Sequence, residues 1–221
     1  GFDINTIPVL DIPNSKTISM IKKRTFGSDL DASIKLNEIF VNTSISLGII
    51  PVMKHIPGHG LTSKDSHLSL PTVGSSLKIL QNQLKLFYHF RHLPYAMTAH
   101  IRYDKWDKDD MATYSKKIIQ KIIRHQIKFK GLIMSDDMTM KANHYDIKES
   151  ISKCNHASID IFLDCSSDWE RYHEVLKTFQ VTNRYKKSLK MRNTKKKIDL
   201  KSINIIQYHD LYNELIKLYG I

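Results

Sequence analysis

The sequence predicts an α/β fold of the (β/α)8 TIM-barrel type, incomplete, with about five C-terminal βα units present and the N-terminal strands missing. Short apolar runs at residues 7–10, 49–53, 95–99, 132–134 and 159–163 read as buried strands. Helical patterns alternate with them, and that alternation implies parallel pairing. Each run also delivers a titratable side chain at its C-terminal end: Asp11, then Lys54-His55, His100, Asp136-Asp137 and Asp164. In a barrel such ends converge on one face, where the chemistry is done. An open sheet gathers only the neighbours of its switch point.

The elements follow in order. After the first run, Ala32, Leu36, Ile39, Phe40 and Leu47 recur at helical spacing, and Gly48 stands as a stop. The second run leads, past a polar loop, to Ser75-Ser76 as a helix start and to a stripe of Leu77, Leu80, Leu84 and Phe87. Tyr114, Ile118, Ile119 and Ile122 form a third stripe before the fourth run. These stripes read as core. Ile206, Leu211, Leu215 and Leu218 read as a final helix rather than further strands. The expected organisation is a partial barrel domain over residues 1–180 and a basic helical tail over 181–221 packing on it. With strands missing, the first and last runs become sheet edges, and their inner faces are expected to lose packing partners.

Composition narrows the function classes. Hydrophobic residues make up 41% and charged residues 25% of the 221, as in globular proteins. No apolar run approaches the roughly 20 residues of a membrane span, and no basic segment followed by an apolar stretch marks a signal peptide. A cytoplasmic protein without a membrane partner is the expectation. The two cysteines, Cys154 and Cys165, have neither a disulfide framework nor metal-ligand spacing and read as reduced thiols. The net charge of +12 invites a nucleic-acid reading. Most lysines are scattered, however, and Ile, Lys and Asn are all abundant, a bias that AT-rich codons also produce. The dense run from Arg184 to Lys197 reads as a solvated helix face, so no nucleic-acid partner is expected.

Several stretches can carry chemistry. In Lys54-His55-Ile56-Pro57-Gly58-His59-Gly60, Pro57 stops a helix and the glycines permit a close-approaching backbone. Asp65 and His67 lie two apart on a polar loop, where a carboxylate raises a histidine pKa and the pair suits proton transfer; a plain loop hydrogen bond is the alternative. Leu132-Ile133-Met134-Ser135-Asp136-Asp137 is a short strand running into two carboxylates. One fixed at a strand end can attack an anomeric carbon, and one can cap the following helix. Asp136, nearer the strand, is the candidate nucleophile. His55, His59, His67 and His100 raise a metal centre as a lesser alternative. Pro57 and Gly58 keep His55 and His59 off a shared helical face, and no His-x-His pair ends a strand, so a metal is not expected.

Taken together, Lys54-His55-Ile56-Pro57-Gly58-His59-Gly60, Asp65-Ser66-His67, Ala99-His100 and Ser135-Asp136-Asp137-Met138-Thr139-Met140 resemble the family 3 β-N-acetylglucosaminidases, in the short-loop form of Gram-negative bacteria. Ile7-Pro8-Val9-Leu10-Asp11 stands where the family has Ala-Pro-Val-Leu-Asp, and Arg24-Thr25-Phe26-Gly27 looks like its arginine-containing segment. The resemblance implies Asp136 as nucleophile, His67 as acid/base and Asp65 as its partner. Arg24, Lys54 and His55 would hold the hydroxyls of an N-acetylglucosamine ring. It further implies retention through a covalent glycosyl-enzyme, a muropeptide substrate from peptidoglycan recycling, and no cofactor. The family's Asp-Gln-Glu-Gly-Gly-Arg segment is absent, which makes a missing N-terminal segment an implied partner and an inactive fragment or half of a split enzyme the alternative.

Overall fold

The computed structural model describes residues 2–191 and residue 217. Its strands and helices in chain order are β1 (Ile4–Asn5), α1 (Ser19–Lys22), α2 (Leu30–Ser46), β2 (Ile50–Ile56), β3 (Thr72–Val73), α3 (Leu77–His89), β4 (Tyr95–Thr98), β5 (Arg102–Tyr103), β6 (Asp107–Met111), a π-helix (Ile118–Gln126), β7 (Leu132–Met134), α4 (Ile147–Ala157), α5 (Trp169–Thr178) and α6 (Asn183–Met191). The main sheet has the order β1-β2-β4-β7, all parallel. A bridge from Met134 to Ile161 adds a fifth strand position at its far edge. This is the α/β architecture that the alternation of apolar runs and helical stripes predicts.

Alternation along the strands divides the core. Met53, Ala96 and Ile133 join the large cluster that includes Leu80, Phe87 and Ile119 from the helices. Their neighbours Val52, Tyr95, Met97, Leu132 and Met134 form a second cluster, with Ile4, Ile50, Ile161, Leu163 and Tyr185 against it. Period-2 alternation sends successive side chains to opposite faces, so this second cluster is the inner face of the sheet. A loss of partners was expected at the two edges of the sheet. On this face Val52, Met97 and Leu132 are buried, while Ile4 at one edge and Ile161 and Leu163 at the other are only partly buried. Tyr185 of α6 packs against the same cluster.

Local sequence accounts for the element ends. Asp29, Ser76, Asp146 and Asp168 cap α2, α3, α4 and α5 by accepting from backbone N–H groups of the first turn. Gly48, at φ 72°, ends α2 where a side chain is disfavoured. The first apolar run differs from expectation. Ladder pairing occurs at Ile4–Asn5 and again at Val9, with Pro8 between them. Proline has no N–H to donate, which confines it to edge strands such as this one. The third helical stripe is a π-helix. Ser115 Oγ accepts from the Ile118 amide at its start, and the Ile127 amide donates to the Ile122 carbonyl five residues back. The small sheet β3-β5-β6 was not foreseen; its longest strand is Asp-Lys-Asp-Asp-Met, with no apolar alternation to read. At the N-terminal end of the sheet, buried Asp160 accepts from the Ile133 amide, Arg124 Nη2 and Thr182 Oγ1, joining β7, the π-helix and the approach to α6. The rest of the basic run 184–197 and the expected helix over 201–221 lie outside the described residues. Among the described residues, no helix is long and apolar enough to cross a membrane.

The turn after β2 leaves no room for a side chain at Gly60. A Cβ there would stand 2.0 Å from the Ile12 carbonyl oxygen and 2.8 Å from Gln83 Oε1. Gln83 is itself fixed, donating to the Ile12 carbonyl at 2.9 Å and accepting from the Ile12 amide at 3.3 Å. The backbone must therefore move, and Gly60→Ala is expected to destabilise the fold by about 1–3 kcal/mol. Urea unfolding of the two proteins measures this; an unchanged midpoint would show that the turn relaxes freely.

Candidate functional site

The C-terminal ends of β2, β4 and β7 lie side by side and present Lys54-His55, His100 and Asp136, while Asp11 follows the bridge at Val9. Asp11 is almost wholly buried and charged. One of its oxygens accepts from the His59 amide at 2.6 Å and the His55 amide at 3.3 Å, and the other lies 2.8 Å from His55 Nδ1. Burial works against its charge, but the neighbouring His55 and His59 and these N–H donors keep its pKa below the ordinary carboxylate value. With Nδ1 engaged, the ring of His55 is locked in orientation.

Asp136 follows β7 directly. Burial opposes its ionisation, yet the electrostatic influence of the His55 and His100 rings, the Asp137 amide at 2.9 Å and Lys54 lowers its pKa. It is therefore an ionised carboxylate on the floor of the site. Lys54 is buried and donates to Thr6 Oγ1 at 3.3 Å. Its pKa is lowered by burial and by Arg24, against the pull of Asp136 and Asp11. Arg24, exposed just after α1, thus lies close enough for its charge to be felt at Lys54. Asp137 does different work from Asp136. It accepts from the Thr139 amide and hydroxyl and from the Cys165 amide, tying down the turn.

Asp65 and His67 occupy the rim. One Asp65 oxygen lies 2.8 Å from both the amide and the Nδ1 of His67. This leaves Nε2 as the free nitrogen of a side chain that is 53% exposed. Burial alone would raise the Asp65 pKa; its bonds from His67 outweigh that and lower it. The charge of His67 is felt at His100, which places the rim loop near the strand ends. The sequence-derived residues Lys54, His55 and Asp136 thus stand at the C-terminal ends of strands in one sheet, close enough to influence one another electrostatically, and Arg24 acts on Lys54 in the same way. A cavity of about 840 Å³ lies elsewhere, lined at the N-terminal ends of β4 and β7 by residues such as Tyr95, Leu132 and Lys187. Among the described residues, no group of three His, Cys, Asp or Glu side chains is arranged to hold a metal ion.

Sequence reasoning overlooked several contributors. Thr6 is a small polar residue with no motif to mark it, and Ser66 entered only as the spacer of Asp65-Ser66-His67. Gln83 carries a faint signal, an amide set within the leucine stripe of α3. His59 was visible in the glycine-rich stretch and as a member of the candidate metal group, not as a support for the loop. His100 ended a strand, but nothing foretold that its fully buried ring would have no partner at either nitrogen among the described residues.

His59 and His100 are both pushed down to about 4, chiefly by burial. Below the ordinary histidine pKa of 6.5 the unfolded chain takes up these protons, and the folded chain does so only near 4. Stability is therefore expected to fall as pH drops through that window. Asp11 and Asp136, lowered from 3.8, add their loss only at still lower pH. Denaturant midpoints at about pH 7 and pH 4.5 test this; equal midpoints would contradict two neutral buried imidazoles.

Comparison with known proteins gives a consistent picture. The model of the glycosyl hydrolase family 3 N terminal domain matches residues 1–195. A beta-hexosaminidase of Hydrogenovibrio crunogenus is 34% identical over 173 residues, 75% of this chain and 47% of that protein. One from Psychromonas ingrahamii is 30% identical over 209 residues, 90% of this chain and 60% of that protein. The chain thus spans about half to three-fifths of the length of these curated relatives. The solved structure of NagZ from Neisseria gonorrhoeae in complex with N-trifluoroacetyl-D-glucosamine superposes with a TM-score of 0.81 at 26% identity, covering 98% of this chain and 64% of that one. On a family match that takes in every described strand, this chain belongs to glycosyl hydrolase family 3.

Proposed function

We propose that this chain carries the catalytic groups of a retaining β-N-acetylglucosaminidase. The observation that carries the reading is the ionised carboxylate of Asp136, fixed at a strand end beside Lys54 and His55 and overlooked by a loop with a paired histidine. Asp136 is the nucleophile. Its carboxylate attacks the anomeric carbon, the glycosidic C–O bond breaks, and His67 Nε2–H passes its proton to the leaving oxygen. In the second step neutral His67 takes a proton from water, which attacks the same carbon and releases Asp136. Asp65 accepts from Nδ1, fixing the ring so that Nε2 is the nitrogen that exchanges protons. Arg24, Lys54 and His55 hold ring hydroxyls, and the two basic side chains near Asp136 keep it charged before attack. No step requires a cofactor.

The substrate class rests on relatedness. Several relatives are named beta-hexosaminidases, and the Neisseria protein binds an N-acylated glucosamine. The finer proposal is a muropeptide or other N-acetylglucosaminyl saccharide, released in the cytoplasm during peptidoglycan recycling. Residues 1–180 form the catalytic unit in this reading, and 181–221 form an appended basic tail.

A second reading has its own observation. Among the described residues the sheet has open edges at β1 and at Ile161, and about a third of the Neisseria chain has no counterpart here. The chain is then one half of a barrel that turns over substrate only with a separate N-terminal piece. Assaying a chromogenic β-N-acetylglucosaminide with this chain alone, and with an N-terminal segment of a relative added, separates the two.

Asp136→Ala is expected to lower turnover by more than about a thousandfold, since no covalent intermediate can form. Trapping with a fluorinated glycoside and peptide mapping should place the label on Asp136; a label on Asp137 would overturn the assignment. His67→Ala should cost about 10²–10⁴-fold with poor leaving groups and much less with activated aryl glycosides in the first step. Equal losses across leaving groups would reduce His67 to a binding residue.

A further inference from the structure

The loop from β2 to β3 has a fixed root and an exposed rim. At the root, the His59 amide donates to Asp11, Tyr103 OH donates to the Gly58 carbonyl at 2.8 Å, and Thr17 Oγ1 donates to the Gly60 carbonyl. At the rim stand Asp65 and His67. Ser66 sits between those two partly exposed residues and is itself 2% exposed. A serine on a polar loop can satisfy its hydroxyl with water. This one is turned inward, where its Oγ lies 3.2 Å from His59 Nε2. Its carbonyl accepts from the Ala142 amide at 3.1 Å, on the segment that leads away from Asp136. One residue thus joins the His67 loop both to its own root and to the turn that follows the candidate nucleophile.

The histidine on which Ser66 rests is well suited to hold it. His59 Nδ1 lies 2.9 Å from Thr62 Oγ1, and that hydroxyl also lies 3.2 Å from the His59 carbonyl. With the Thr62 proton directed to the carbonyl, Nδ1 must carry the ring proton. Nε2 then offers its lone pair, and the Ser66 hydroxyl donates to it. Burial keeps the ring neutral, so this acceptor persists across the neutral pH range.

We propose that Ser66, gripped by His59 and by the Ala142 amide, is a positioning residue that fixes His67 relative to Asp136. This rests on the reading of His67 as the acid/base. Ser66 touches no reacting atom in this scheme. It determines where His67 Nε2 stands when the proton is transferred, and displacement of about 1 Å at such a group can cost roughly a hundredfold.

The test is Ser66→Ala, with His59→Phe and the double variant completing a cycle, read in two ways. Amide hydrogen exchange on the whole chain reports the loop. In Ser66→Ala the amides of Leu68, Ser69 and Ala142 should exchange roughly fivefold to tenfold faster, the change expected from one lost hydrogen bond. Amides of α3 should keep their rates. The double variant should be no faster than the worse single variant. Unchanged exchange at Leu68, Ser69 and Ala142, or fully additive effects, would overturn the proposal even if His59→Phe does not fold, because Ser66→Ala stands alone. Turnover of phenyl and dinitrophenyl N-acetyl-β-glucosaminides supplies the second readout. Ser66→Ala should lower kcat for the phenyl glycoside more than for the dinitrophenyl one, with KM little changed; equal losses would overturn positioning of His67. A His67→Ala control without leaving-group dependence would sink the acid/base reading instead; where turnover needs an added N-terminal segment of a relative, the same comparison is made in that mixture, and the exchange rates decide independently whether Ser66 holds the loop.

Discussion

A carboxylate taken out of water loses its hydration and must recover it from the protein, and Asp11 does so with the His55 and His59 amides and the His55 ring. Removing one partner of such a buried pair typically costs about 3–5 kcal/mol, a large share of the roughly 5–15 kcal/mol that stabilises a domain. The three donors come from the end of β2 and the turn beyond it, so the charge fixes the course of the chain there. The orientation of the His55 ring, the start of the rim loop and the seat of Lys54 all depend on it. Tyr103 and Gln83 then close around the same turn from β5 and α3.

Electrostatic compensation extends this constraint to the strand ends. Lys54 and Asp136 are each disfavoured by burial, and each lies in the field of the other. Arg24 weakens the lysine as a cation, while Asp11 and Asp136 strengthen it. The outcome is a floor in which negative charge at Asp136 is maintained by fixed neighbours rather than by water. Such preorganised fields are the usual source of transition-state stabilisation, since they need not reorganise as charge moves.

Much of this was legible in the sequence. The β7 strand was bounded correctly by its apolar run; the stripe of α2 was read with Gly48 as its stop and that of α3 with Ser76 at its start. Strand ends could be read as site positions because apolar runs stop where a titratable residue begins. Other features had no linear signature. The β3-β5-β6 sheet is made of short strands defined by their partners rather than by their own pattern. The π-helix shares its isoleucine stripe with an ordinary helix, and only the hydrogen-bond register tells them apart. Ser66 is an unremarkable loop serine until its distance to His59 is known. The inner face of the sheet follows the period-2 alternation, with Val52, Met97 and Leu132 buried on it and Ile4, Ile161 and Leu163 at its edges only partly so.

That inner face owes its filling to composition. Two of its buried members, Met97 and Met134, are unbranched thioethers with three rotatable bonds each. Valine or isoleucine at those places would hold one shape and leave gaps whenever the surroundings changed. Methionine reshapes itself around whatever lies next to it. Two of the five buried side chains on this face can therefore change shape with their surroundings, closing on their neighbours or yielding to added strands with the same residues in place.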